Sequence, residues 1–307
     1  LLQTASAPGQ KGNPHRQQPL QATLHYFQAA GVCGTLLPMD ETYRQIRQRA
    51  RELVQTLPEP AFYKEEADAL KRSHRLFDRS AELKELISHL EAELDEDFGH
   101  GLFHSQKVAI EAGAIVLVER RRSKEHNTAD APCVDRLMFK AHCAGLLHDT
   151  MRKHKDHAEK GAAYAEKVLA VLHFPQNEIH EIAFAIACHE AFKTNDAACP
   201  TGPDAQLLAD ALYDADKFRW GPDNFAHTVW DMVSYARIPL PLFMSHYPRA
   251  LEGIARIKKT FRSQTGKLYG PGFIDIGLDV GKKLYTIIQS EFAPNLGGCT
   301  ASSSTTP

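Results

Sequence analysis

The chain has 307 residues, with 36 Lys and Arg against 38 Asp and Glu, and six scattered cysteines that form no C-x-x-C pair. That length supports a sizeable core, in one large unit or two smaller ones. The near-balanced charge argues against a nucleic-acid or anionic-membrane partner, and no apolar run approaches the roughly 20 residues that a membrane span needs. Free thiols rather than a disulfide framework, and a cytoplasmic setting, are the expectations. Leu1 in place of Met fits a processed or trimmed start.

Residues 1–22 are rich in Gln, Pro, Gly and Ser without periodicity, and read as a disordered lead. A helical extension is predicted over 23–96. Asp40 offers a cap, and Tyr43, Ile46, Ala50, Leu53 and Leu57 follow at helical spacing. Pro58 and Pro60 break that helix. A second helix covers Ala61 to Leu76, and a third, after Asp78 or Ser80, turns Leu83, Leu86, Ile87, Leu90 and Leu94 inward. Gly99 and Gly101 open a joint. The next helix, Leu102 to Arg121, has Val108, Ala112, Ile115 and Val116 on its inner face and His100 and His104 near its start. After a polar loop (Ser123 to Pro132), an apolar helix from Val134 to Leu147 ends in the adjacent pair His148-Asp149, with Arg152 just beyond.

A cationic turn with a solvent-facing His154 leads to a helix from about Ala158, and the face Ile179, Ile182, Ala183, Ile186 runs into Cys188-His189-Glu190. Residues 193–204 read as a loop. The following helix carries Leu207, Leu208, Ala211 and Leu212 into Asp214-Ala215-Asp216-Lys217-Phe218. Pro239, Pro241 and Pro248 punctuate later helices. Arg249, Arg256, Lys258, Lys259 and Arg262 read as a solvated stripe on a helix ending near Phe261. Tyr269 to Phe273 reads as a loop, Ile274 to Phe292 as a closing helix, and 294–307 as a disordered tail. Period-2 alternation is almost absent, so the fold class is all-α.

Ten of the sixteen histidines fall between His100 and His189. An apolar helix that buries His148 and Asp149 together needs a partner for both, because an unpaired buried charge is costly. A divalent metal is the simplest one, since imidazole and carboxylate are ordinary metal donors. His142 is read as a helix-face histidine and His180 as a core one.

In order along the chain stand His100-x-x-x-His104, His148-Asp149, His157-x-x-x-Gly161, Ile186-x-x-His189-Glu190 and Asp216. In this order they resemble the HD-domain metal-dependent phosphohydrolase superfamily, over an HD-type helical core of residues 97–225. A C-terminal helical extension (226–293) and the tail follow. The resemblance implies one divalent ion (Mn, Mg, Fe, Co, Ni or Zn) on His104, His148, Asp149 and Asp216. His157 and His189 stand where some relatives hold a second metal, although Cys188 replaces a histidine of those relatives. One tightly held metal with a weaker second is the expectation. Asp149 is the catalytic candidate that orients the nucleophile; Arg152, with Lys217 and Arg219, is expected to meet the phosphate of a nucleotide or other small phosphorylated substrate. The same positions also suit an HD-fold di-iron oxygenase, and relatives that have lost ligands act as non-catalytic signalling modules.

Overall fold

The structure, a computed structural model, describes residues 41–93, 101–123, 131–193 and 203–296. The expected lead, the Asp40 cap, Leu94, His100, most of the 193–204 loop and the tail beyond 296 lie outside these residues. Helix dominates, and no strand occurs among the described residues. Nor is any of these helices long and apolar enough to cross a membrane.

The N-terminal helices are α1 (Glu41–Gln55), α2 (Ala61–Glu65), α3 (Ala67–Arg79) and α4 (Ala81–Glu93). The centre holds α5 (Leu102–Arg122), α6 (Ala131–Leu147), α7 (His157–Val171), α8 (Gln176–Ala187) and α9 (Pro203–Phe218). A π-helical turn (Asn224–Thr228), α10 (Val229–Tyr235), α11 (Leu240–Ile257), α12 (Gln264–Glu291) and α13 (Ala293–Leu296) follow. Ser80 caps α4 by accepting from the Leu83 N–H at 3.2 Å, and Ser263 caps α12 by accepting from the Gly266 N–H at 2.8 Å. α7 and α10 both end with a left-handed residue that is not glycine. His173 (φ 58°) donates its N–H to Ala170 and Phe174 donates to Leu169. Arg237 (φ 50°) and Ile238 repeat the pattern on Ser234 and Val233. Both are Schellman closures, which use up carbonyls that a helix end leaves unpaired.

α5 packs against α3, α6 and α9, and α8 against α6, α7 and α9. The α5–α6 contact is unusually close. A side-chain carbon on Gly145 would stand 2.4 Å from the Ala109 Cα, so only glycine lets the two backbones approach there. This crossing brings the start of α5, with His104, beside the end of α6, with His148.

The apolar core runs without interruption from Tyr43 to Phe292, and the two extensions meet on it. Tyr43 donates its hydroxyl to the Ile238 carbonyl at 2.7 Å, and Arg47 pairs with Asp231 at 2.8 Å. Several expectations for the C-terminal part fail, among them that Pro248 would punctuate a helix, since it lies inside α11. The helix expected to end near Phe261 stops at Ile257, and the loop expected over Tyr269–Phe273 is the interior of the 28-residue α12. The Gly-Pro-Gly signal was local, whereas packing decides the outcome: Tyr269 and Phe273 are buried, and the α-carbon of Gly270 lies against the Phe261 ring. Residues 293–296, partly assigned to the tail, form the short α13.

Candidate metal centre

Five helix termini converge on one buried spot. Helix C-termini leave carbonyls without partners, and two histidines use them. His148 donates from Nδ1 to the Gly145 carbonyl at 2.8 Å, and His189 to the Ile186 carbonyl at 2.6 Å. A carbonyl only accepts, so Nδ1 carries a proton, and in the neutral ring each Nε2 turns a lone pair inward. His104 sits in the first turn of α5 and His157 opens α7. α7 comes close because Gly161 leaves only 3.2 Å between its would-be side-chain carbon and the His148 carbonyl. Asp216 lies in the last turn of α9.

The donors fall into two groups of three: His104, His148 and Asp216; and Asp149, His157 and His189. In the first, His104 Nε2 is 3.4 Å from His148 Nε2 and 3.6 Å from Asp216 Oδ1, and His148 Nε2 is 3.7 Å from that oxygen. Asp149 joins the groups. Its Oδ2 lies 3.5 Å from His148 Nε2 and 3.8 Å from His104 Nε2, while its Oδ1 lies 3.5 Å from His189 Nε2 and 3.9 Å from His157 Nε2. Donors about 2.0–2.1 Å from a tetrahedral ion are about 3.3 Å apart, so a shift of a few tenths of an ångström would seat one. Asp149 Oδ1 is buried and has no hydrogen-bond partner, and leaving a buried oxygen unpaired is costly. The residues fit a metal, and these groups could hold one.

Their electrostatics fit as well. Burial, with the neighbouring His148 charge, pushes His104 down to about 3. Burial, with His189, pushes His157 down to about 4. Both are therefore neutral donors at pH 7. Burial acts against a charge on His148 too, but Asp149 and Asp216 outweigh it and hold this imidazole above its ordinary value. Burial alone would raise Asp149; Arg152 and His148 overcome it and keep the carboxyl well below the usual range. Lys217 and His148 do the same for Asp216.

Arg152 donates to Asp149 Oδ2 from the turn after α6, and Lys217 donates to Asp216 Oδ2. Arg219 turns elsewhere. It is 5 % exposed, and its two terminal nitrogens are engaged inside the protein by Glu111, Asp223 and the Tyr63 hydroxyl. Asp214 belongs to neither donor group: it accepts from the Arg262 and Ser263 N–H groups, each at 2.8 Å, and so anchors the start of α12. Cys188 is in neither group, and its carbonyl accepts from Arg262 at 2.9 Å. His154 is exposed, as expected. The other two histidines are exchanged: His142 is fully buried, held at 2.8 Å by Ser73, whereas His180 is exposed and meets Gln176. His142 faces α3 across the α5–α6 crossing, a contact the α6 pattern alone did not reveal.

Sequence reasoning assigned no role to Glu190 or Glu111. Glu190 Oε1 lies 3.5 Å from His157 Nδ1. Glu111 is 2 % exposed on the apolar inner face of α5, seven residues after His104. An acid on such a face was the available signal. Comparison with known proteins adds nothing to these side chains: no family model, no curated protein and no solved structure matches the chain.

Proposed function

We propose that the chain is a metal-dependent phosphohydrolase of the HD-domain kind, acting in the cytoplasm on a nucleotide or other small phosphorylated metabolite. The observation that carries this reading is the meeting of two buried donor groups at Asp149, with one oxygen turned to each. His104, His148 and Asp216 would hold one divalent ion, and His157 and His189 a second, with Asp149 between them. An ion held there supplies Lewis acidity toward a phosphoryl oxygen and water of lowered pKa.

The chain's own residues supply the rest. Asp149, anionic at neutral pH, accepts a hydrogen bond from the attacking water and orients it. Arg152, whose side chain is 21 % exposed, presents a planar fork to phosphate oxygens and offsets the charge that develops on them. Lys217 adds positive charge beside Asp216. Arg219 drops out of this role, because Glu111 and Asp223 already engage it.

Elemental analysis of the purified protein, together with a screen of phosphorylated compounds, tests the reading. Asp149→Ala is expected to lose turnover and bound metal while helicity is kept. A variant with full phosphatase activity and full metal content ends the proposal. The shared carboxylate also favours a second reading, a di-iron oxygenase. Two iron atoms per chain and substrate-dependent oxygen consumption, without phosphate release, would make that the leading one.

A further inference from the structure

An imidazole that serves a metal through one nitrogen is held in place through the other. For His148 and His189 the holder is local: each follows a helix and uses a carbonyl three residues back. His157 has no such option. It is the first residue of α7, and the unpaired groups at a helix N-terminus are N–H donors, not acceptors. Its ring must be fixed from another element.

We infer that Glu190 is the positioning residue for His157, and that it sets the affinity of the Asp149–His157–His189 group for a divalent ion without touching the His104–His148–Asp216 group. Glu190 Oε1 faces His157 Nδ1 at 3.5 Å, on the side of the ring opposite the Nε2 that faces Asp149. The carboxylate is 6 % exposed, and Lys193 holds its second oxygen. Burying a carboxylate is costly unless its contacts are specific. A carboxylate on Nδ1 selects the tautomer with a free Nε2 lone pair and makes that nitrogen a stronger donor. Adjacency does the rest: the backbone turn that aims His189 at Asp149 also aims Glu190 at His157.

The inference rests on the two-group reading of the metal centre, and the two can fail separately. Wild type, Glu190→Ala and Glu190→Gln are titrated with Mn2+ and Co2+ after chelator dialysis. Stoichiometry is read by elemental analysis, the cobalt visible spectrum reports the donor set, and circular dichroism checks the fold. Glu190→Ala is expected to weaken the second equivalent by about 10–100-fold, to alter its cobalt spectrum and to leave the first equivalent unchanged. Glu190→Gln, whose amide oxygen still accepts from Nδ1 but no longer pairs with Lys193, should restore most of that affinity. Should Glu190→Ala not fold, Glu190→Leu, which keeps much of the side-chain volume but cannot accept from Nδ1, is expected to weaken the second equivalent in the same way. A second equivalent of wild-type affinity in the folded Glu190→Ala or Glu190→Leu variant overturns the role of Glu190 alone. Wild-type protein that takes up no ion overturns the metal reading and this inference together.

Discussion

His142 makes the α5–α6 crossing sensitive to acid. The Ser73 hydroxyl donates to the Ile110 carbonyl at 2.7 Å, so the His142 Nε2–H must donate to Ser73 Oγ, and Nδ1 is left as a buried lone pair without a partner. Burial pushes this imidazole from 6.5 down to about 3. The unfolded chain therefore takes up a proton below its ordinary value while the folded chain does not. Stability is lost as pH falls from about 6.5 to about 3, at up to roughly 1.4 kcal/mol per pH unit. His142→Leu, of similar size, is expected to flatten that arm of the profile in urea unfolding. An unchanged slope between pH 6.5 and 4 would show that His142 does not set it. On the proposed function, Arg152→Ala should slow turnover by at least about tenfold, or about 1.4 kcal/mol of transition-state stabilisation, with metal content kept; unchanged kinetics would leave Arg152 as a plain partner of Asp149. Residues of this kind were partly legible. Asp214 and Asp216 look alike in sequence, but two steps along a helix turn side chains about 200° apart. Only the resemblance chose between them, since the groups that claim Asp214, the N–H groups of Arg262 and Ser263, lie some fifty residues further on.

Helices and their apolar faces followed from spacing, because burial of a stripe is a local property of the sequence. What joins them was less legible. The Glu111–Arg219–Asp223–Lys107 chain ties α5 to the end of α9 beside His104 and Asp216, with Lys107 meeting Asp223 at 2.7 Å. Arg219→Met should cost about 3–5 kcal/mol by leaving Glu111 buried without its counter-charge. Adding Glu111→Gln should recover part of the loss, and thermal unfolding of the single and double variants checks both. The two Schellman closures were missed for a clear reason: glycine is their usual signal, and here His173 and Arg237 occupy the left-handed position. A non-glycine residue there costs roughly 1 kcal/mol, so His173→Gly and Arg237→Gly should each stabilise the protein by up to about that amount in the same assay. Loss of stability would mean that side-chain contacts of His173 or Arg237 outweigh the backbone relief.

Across the molecule, the C-terminal helices reach back to the centre, and no periodicity could show it. Arg262 lies 3.6 Å from the Tyr213 ring and holds the Cys188 carbonyl beside His189, while Asp214 fixes the start of α12. On the proposed reading, protons and ions compete for this centre. His148 is held above its ordinary value and must be neutral to ligate. Affinity should then fall by about one log unit per pH unit below that value, as one proton is displaced per ion. A flat affinity between pH 7.5 and 5 would exclude His148 as a ligand. The single carboxylate of Asp149 has one more consequence. Two ions that shared it, as proposed, would be thermodynamically coupled, and coupling is reciprocal: whatever factor the first imposed on the second, the second would impose on the first. Asp149 is only 4 % exposed at its side chain and already pinned by Arg152, so prior ordering by one ion gives the other little advantage, and mutual repulsion decides the sign. Calorimetry should record negative cooperativity, and removing the second group with His157→Ala should leave the remaining ion bound more tightly than it is in the doubly loaded protein.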